Sequence, residues 1–286
     1  NYQILPYIFG GILSYILGGV ENFFYLKNFI FPTFGFLISF ILLKTFFRSF
    51  FLSLFGAVLF YNPYFATSDI YRYFTIDNTL WSGASTLSYL AAKYPSQQFT
   101  FIFYFLGLIS LFKILENKNY KYLLIISITI SAYSYLYDFV VLSLMTFSLF
   151  VYSLAFNLKY KRDLFIAGLS SFLLALPVIV ISAFQEFRED ALLAFFFTQS
   201  QNFNPTPFLV KSLFATIVCL LITKFYNKSY HNLSAIIITQ FFPLMIFSYL
   251  CYYFLILPYP YHFMLNYHFS KVLFILMIIN LIINLN

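Results

Sequence analysis

YLLIISITISAYSYLYDFVVLSLMTFSLFVYSLAF, Tyr122 to Phe156, contains no glycine, no proline and one charged residue, Asp138. As a single helix at 1.5 Å per residue it would measure about 50 Å, against the ~30 Å of hydrocarbon in a bilayer. The stretch is too apolar to stand in water and too long to cross once. It reads as a helical hairpin turning near SYLYDF (Ser134 to Phe139), with Asp138 at the tip among Tyr133, Tyr135 and Tyr137.

The rest of the chain has the same character. Hydrophobic residues make up 62% of it and charged residues 9%, and mean hydropathy is +0.85. A soluble domain carries about a quarter charged residues, so most of this surface is expected to face lipid. The expected class is therefore all-α: a polytopic transmembrane bundle forming one domain over residues 1–286. No cleavable signal peptide is legible at NYQILPYIF. A chain that starts at Asn1 and stops in mid-helix at LIINLN reads as a piece of a longer one.

Apolar runs between charges and breakers give ten segments, at about 4–20, 28–46, 49–65, 97–114, 121–137, 139–158, 164–184, 207–225, 232–252 and 269–286. The first is the weakest, short and carrying Gly10–Gly11 and Gly18–Gly19, and either spans or lies at the interface. Alternate connections sort the charges. Lys44, Arg48, Lys113, Lys118, Lys121, Lys159, Lys161, Arg162, Lys224 and Lys228 fall on one side with Glu116 and Asp163. The other side holds six basic and seven acidic residues. Basic connections stay in the cytosol, which explains a net charge of +7 without nucleic acid. The expected location is a bacterial inner membrane, with membrane lipid as the first partner. The long connections, Ala66 to Ser96, Phe184 to Pro207 and Leu250 to His268, then form a crown of loops and short interfacial helices on the outer face. Loops of that length usually have a function or are disordered.

Candidate site residues collect in that crown. Asp69 and Arg72 are spaced to pair on a short helix. Either Asp69 or Asp77 can serve as a general base, while Arg72 matches phosphate oxygens bidentately. The plainer alternative is an ordinary wet loop. In PSQQ, Pro95 suits the first turn of a helix and Ser96 its cap, which leaves Gln97 and Gln98 to hydrogen-bond a sugar or a headgroup. Asp138 lies either at membrane depth, where an ionisable residue implies function, or at the water surface. Arg188, in the mixed-charge QEFRED, suits a lipid phosphate. His262, in PYPYHF, suits a proton shuttle or a donor to substrate. His262 and His268, without a nearby carboxylate, do not make a zinc site, and no residue is assigned to a metal.

No Walker loop, GxSxG, HExxH, CxxC or dinucleotide fingerprint occurs. The helices are nearly free of charge, which argues against an ion-coupled transporter. An enzyme working at the outer surface on a lipid-linked substrate fits better.

Four stretches carry a family resemblance: KYPSQQFTFIFYFLGLISLFKI, ISAYSYLYDFVVL, GLSSFLLALPVIVISAFQEFRED and PYPYHF. Together, from about Val20 to His268, they resemble the GT-C superfamily of integral membrane glycosyltransferases, which use polyprenyl-phosphate-linked sugars. The resemblance implies an outer catalytic site where a carboxylate deprotonates an acceptor hydroxyl and the anomeric centre inverts. It leaves the cofactor unknown and a divalent cation open. In that superfamily an acidic pair sits in the first outer loop, where this chain has only Glu21. Either that loop precedes Asn1, with Asp69, Asp77 and PSQQ as secondary wall, or the chain lacks it. The competing expectation is a transporter, flippase or assembly protein for lipid-linked saccharides, without chemistry of its own.

Overall fold

The hairpin expected over residues 122–156 breaks at one residue. In the computed structural model, which describes residues 4–61, 95–185, 206–225, 231–254 and 264–285, Tyr135 is extended at φ −158° between two helices. Every regular element among the described residues is an α-helix. There are ten: α1 (Ile4–Ile16), α2 (Val20–Phe47), α3 (Phe50–Tyr61), α4 (Pro95–Lys113), α5 (Tyr120–Ser134), α6 (Leu136–Ala155), α7 (Lys161–Gln185), α8 (Thr206–Phe225), α9 (His231–Phe254) and α10 (Met264–Leu285). Each answers to one expected apolar segment. Among the described residues two stretches, Leu136–Ala155 and Lys161–Ile181, are by length and composition able to cross a membrane.

Local chemistry ends the helices. Gly18 stands at φ 75°, a conformation that a side chain disfavours. Its amide donates to Tyr15 O and that of Gly19 to Ser14 O, the two bonds of a Schellman closure. This stops α1 at Ile16, short of residue 20, and lets α2 begin at Val20 instead of near 28. Glu21 in the first turn of α2 meets the positive end of its dipole. With 13 residues, α1 is about 20 Å long, well under a bilayer's hydrocarbon. Asn157, at φ 50°, closes α6 in the same way, with Leu158 N donating to Ser153 O at 2.8 Å.

Side-chain contacts set the directions. Lys121 Nζ meets Asp163 Oδ1 at 2.9 Å, joining the first turns of α5 and α7. Twelve residues along α5 and eleven along α7, the Tyr133 hydroxyl donates to Leu174 O at 3.1 Å. The two helices therefore run parallel, and α6, between them in sequence, returns antiparallel. At the same end as the Lys121–Asp163 pair, the last turns of α2 and α4 meet through Phe46 and Phe112, edge-on at 4.7 Å. The links 44–48, 113–121 and 159–163, rich in lysine and arginine, thus share one end of the bundle.

The core sits where α4, α5 and α6 pack together, with α7, α9 and α2 against them. Leu108, Leu124, Leu142 and Leu149 are fully buried there. Gly107 marks the closest approach of α4 and α6: a Cβ there would lie 2.8 Å from Leu142 Cδ2. Outward faces remain apolar. On α7, Phe165, Leu169, Phe172, Leu173, Leu174 and Ile181 all stand exposed.

Candidate functional site

Asp138 is the third residue of α6 and is 2% exposed, the one buried carboxylate among the described residues. Its position follows from the break at Tyr135. The Tyr135 amide still donates to Ser131 O at 2.7 Å, finishing α5, while its carbonyl accepts from Phe139 N at 3.3 Å, starting α6. A carboxylate in a helix's first turn suits the dipole. The walls beside it are aromatic: Tyr135 and Tyr137 are buried, their ring centroids 5.5 Å apart. Asp138 is thus enclosed by the protein itself.

Three serines line the turns of α5 beneath Asp138. Ser127, Ser131 and Ser134 are fully buried, and their hydroxyls have no hydrogen-bond partner among the described residues. Elsewhere the helices treat the same side chains differently. Ser39, Ser53, Ser110, Thr146, Ser153, Ser171, Thr216 and Thr239 each donate to a carbonyl three or four residues earlier. A buried hydroxyl left unmatched costs about 1–3 kcal/mol. The spacing of four and three puts Ser127, Ser131 and Ser134 on one face. Ser131 is about half a turn round the helix from Tyr133, which reaches α7, so this face looks into the bundle and away from α7.

These serines are absent from the sequence expectations, although the signal was in plain view. Their spacing in SITISAYS is helical, but nothing local separates a hydroxyl that bonds its own backbone from one that does not.

Of the expected site residues, Asp69, Arg72, Asp77, Arg188 and His262 lie outside the described residues. Gln97 and Gln98 fall in the first turn of α4, whose helix begins at Pro95 as expected, and their side chains lie outside what is described. Because α4 and α6 approach at Gly107 and Leu142, Asp138 lies near the level of Phe103. Gln98 then stands about 7–8 Å nearer the N-terminal end of α4. Among the described residues no group of three or more His, Cys, Asp or Glu is placed to hold a metal ion.

Tyr160, 8% exposed in the basic link between α6 and α7, carries the main pKa shift outside the helices. Burial, with a smaller contribution from Tyr152, pushes its hydroxyl up to about 12. It lies at the end of the bundle opposite Asp138.

No family model, curated protein or solved structure matches the chain.

Proposed function

We propose that the chain is a polytopic membrane protein with its basic links in the cytosol and Asp138 toward the outer face, and that it transfers a sugar from a polyprenyl-phosphate donor. The observation that carries the reading is the one carboxylate buried among the described residues, placed at the end of the bundle away from the basic links. Membrane burial is supported by apolar side chains standing exposed along α7. In water, contiguous patches of that kind mark association or aggregation.

In this reading Asp138 takes the proton of an acceptor hydroxyl. The oxygen attacks the anomeric carbon, the bond from that carbon to the phosphate oxygen breaks, and the lipid phosphate leaves with the electron pair. Arg72 and Arg188 supply charge for that phosphate, and Gln97, Gln98 and His262 supply hydrogen bonds to the sugar or headgroup. Asp69 and Asp77 stand as further carboxylates of the outer crown. At 2% exposed, Asp138 meets substrate only after its surroundings rearrange; catalytic contacts commonly tighten only in the complex.

The test is sugar transfer by the full-length protein in vesicles from a polyprenyl-phosphate donor. Asp138→Asn is expected to lower the rate by about 100-fold or more, the usual scale of a lost general base. Transfer at the wild-type rate would refute the assignment.

One observation favours a second reading. Ser127 places an unmatched hydroxyl at the middle of α5, where carriers bind polar cargo. A lipid-linked saccharide carrier would move labelled donor across a vesicle membrane and show no transfer in any variant.

A further inference from the structure

The links 113–121 and 159–163 are some forty residues apart in sequence and meet through Lys121 and Asp163. Both carboxylates in these links are satisfied internally. Glu116 is held by Lys113 at 2.9 Å, and Asp163 by Lys121 at the same distance. Four cations remain, Lys118, Lys159, Lys161 and Arg162, each within four residues of the joining pair. None of the four has a carboxylate partner within 4 Å among the described residues. Lys161 reaches the Asn157 side-chain oxygen, and Lys118, Lys159 and Arg162 are exposed. Their rim is aromatic: Tyr122 is 61% exposed and Phe156 59%.

Basic connections alone follow from the rule that keeps them in the cytosol. That rule governs each link separately. It does not require two links to converge, nor both acids to be paired so that the surplus charge points outward. Cations held together at the headgroup level beside exposed rings fit an acidic phospholipid, each cation near such a surface contributing about 1 kcal/mol.

We propose that the joined links 113–121 and 159–163 form a binding site for an acidic phospholipid headgroup, with Lys118, Lys159, Lys161 and Arg162 as its phosphate contacts. This rests on the membrane placement proposed above and not on the role given to Asp138.

The experiment is the thermal midpoint of the full chain in neutral detergent with added phosphatidylglycerol or phosphatidylcholine. Saturating phosphatidylglycerol is expected to raise the midpoint by roughly 5 °C, the effect of a ligand at about a hundred times its dissociation constant. Phosphatidylcholine should do far less. Lys118→Ala, Lys159→Ala and Arg162→Ala together should abolish the difference between the lipids. If the triple variant does not fold, the wild-type shift should shrink several-fold in 0.5 M salt, as screened headgroup contacts do. The site is overturned by equal shifts from both lipids, by a triple variant that keeps the full shift, by a shift indifferent to salt, or by inorganic phosphate reproducing it without lipid. Asp138→Asn should keep the lipid response, so a failed transfer assay and a failed lipid site give different results.

Discussion

The hydroxyl of Ser131 is the plainest conflict between a side chain and its surroundings in this protein. It is fully buried and unmatched while comparable serines bond their own helix. Ser131→Ala removes the conflict without changing the packing and improves helix propensity. It should raise the thermal midpoint by a few degrees, on the order of 1 kcal/mol; a lower midpoint would mean that the hydroxyl has a partner. Gly107→Ala should do the opposite. The new methyl must displace Leu142, and overpacking of that kind costs about 1–3 kcal/mol. The role of Gly107 could not be read from LGLISL, because its constraint comes from α6.

Tyr160 adds a pH dependence. Its hydroxyl is neutral in the folded state, with its pKa raised by burial from 10.0 to about 12. A group whose pKa is raised on folding stabilises fully below its unfolded value, and that contribution is lost as pH climbs toward the folded one. Stability should therefore fall between pH 10 and about 12, and Tyr160→Phe should flatten part of that fall. Thermal midpoints of both proteins at pH 9 and pH 11.5 decide the matter, and parallel curves would refute the burial.

Among the helices, the pairing of α5 with α7 has the most consequence and was the least legible. The hairpin that precedes it was expected from length alone, and its break at Tyr135 falls within the expected SYLYDF. That α7 then returns parallel to α5 depends on contacts forty-two and forty-one residues apart. One of them lies beside Pro177. The proline's missing amide leaves Leu173 O without its helical donor, and Tyr133 donates one residue further on, to Leu174 O. Tyr133→Phe should cost about 1 kcal/mol, measurable as lower resistance to unfolding in mixed micelles. No change would mean that the bond adds nothing. The lost α1 residues and the early start of α2 have a local cause, the left-handed Gly18.

For the molecule entire, the sidedness of the charges is the claim from which the outer site follows. The structure joins three of the basic links at one end through Phe46–Phe112 and Lys121–Asp163. Single cysteines placed at Asn117 and at Lys161 should react with an impermeant reagent from the cytosolic face alone, and labelling of either from outside would reverse the orientation.

Composition and run length, properties of the chain read in order, were enough to establish an all-helical class, ten apolar segments and a break near Ser134–Phe139. They suffice because desolvating a backbone forces helices wherever apolar runs are long, whatever their neighbours do. The burial of Asp138, the unmatched serines of α5, the parallel α5–α7 pair and the convergence of two basic links depend on which helices touch. Such contacts join residues tens of positions apart, and the free energy that selects them is distributed over the packed core, out of reach of any local pattern.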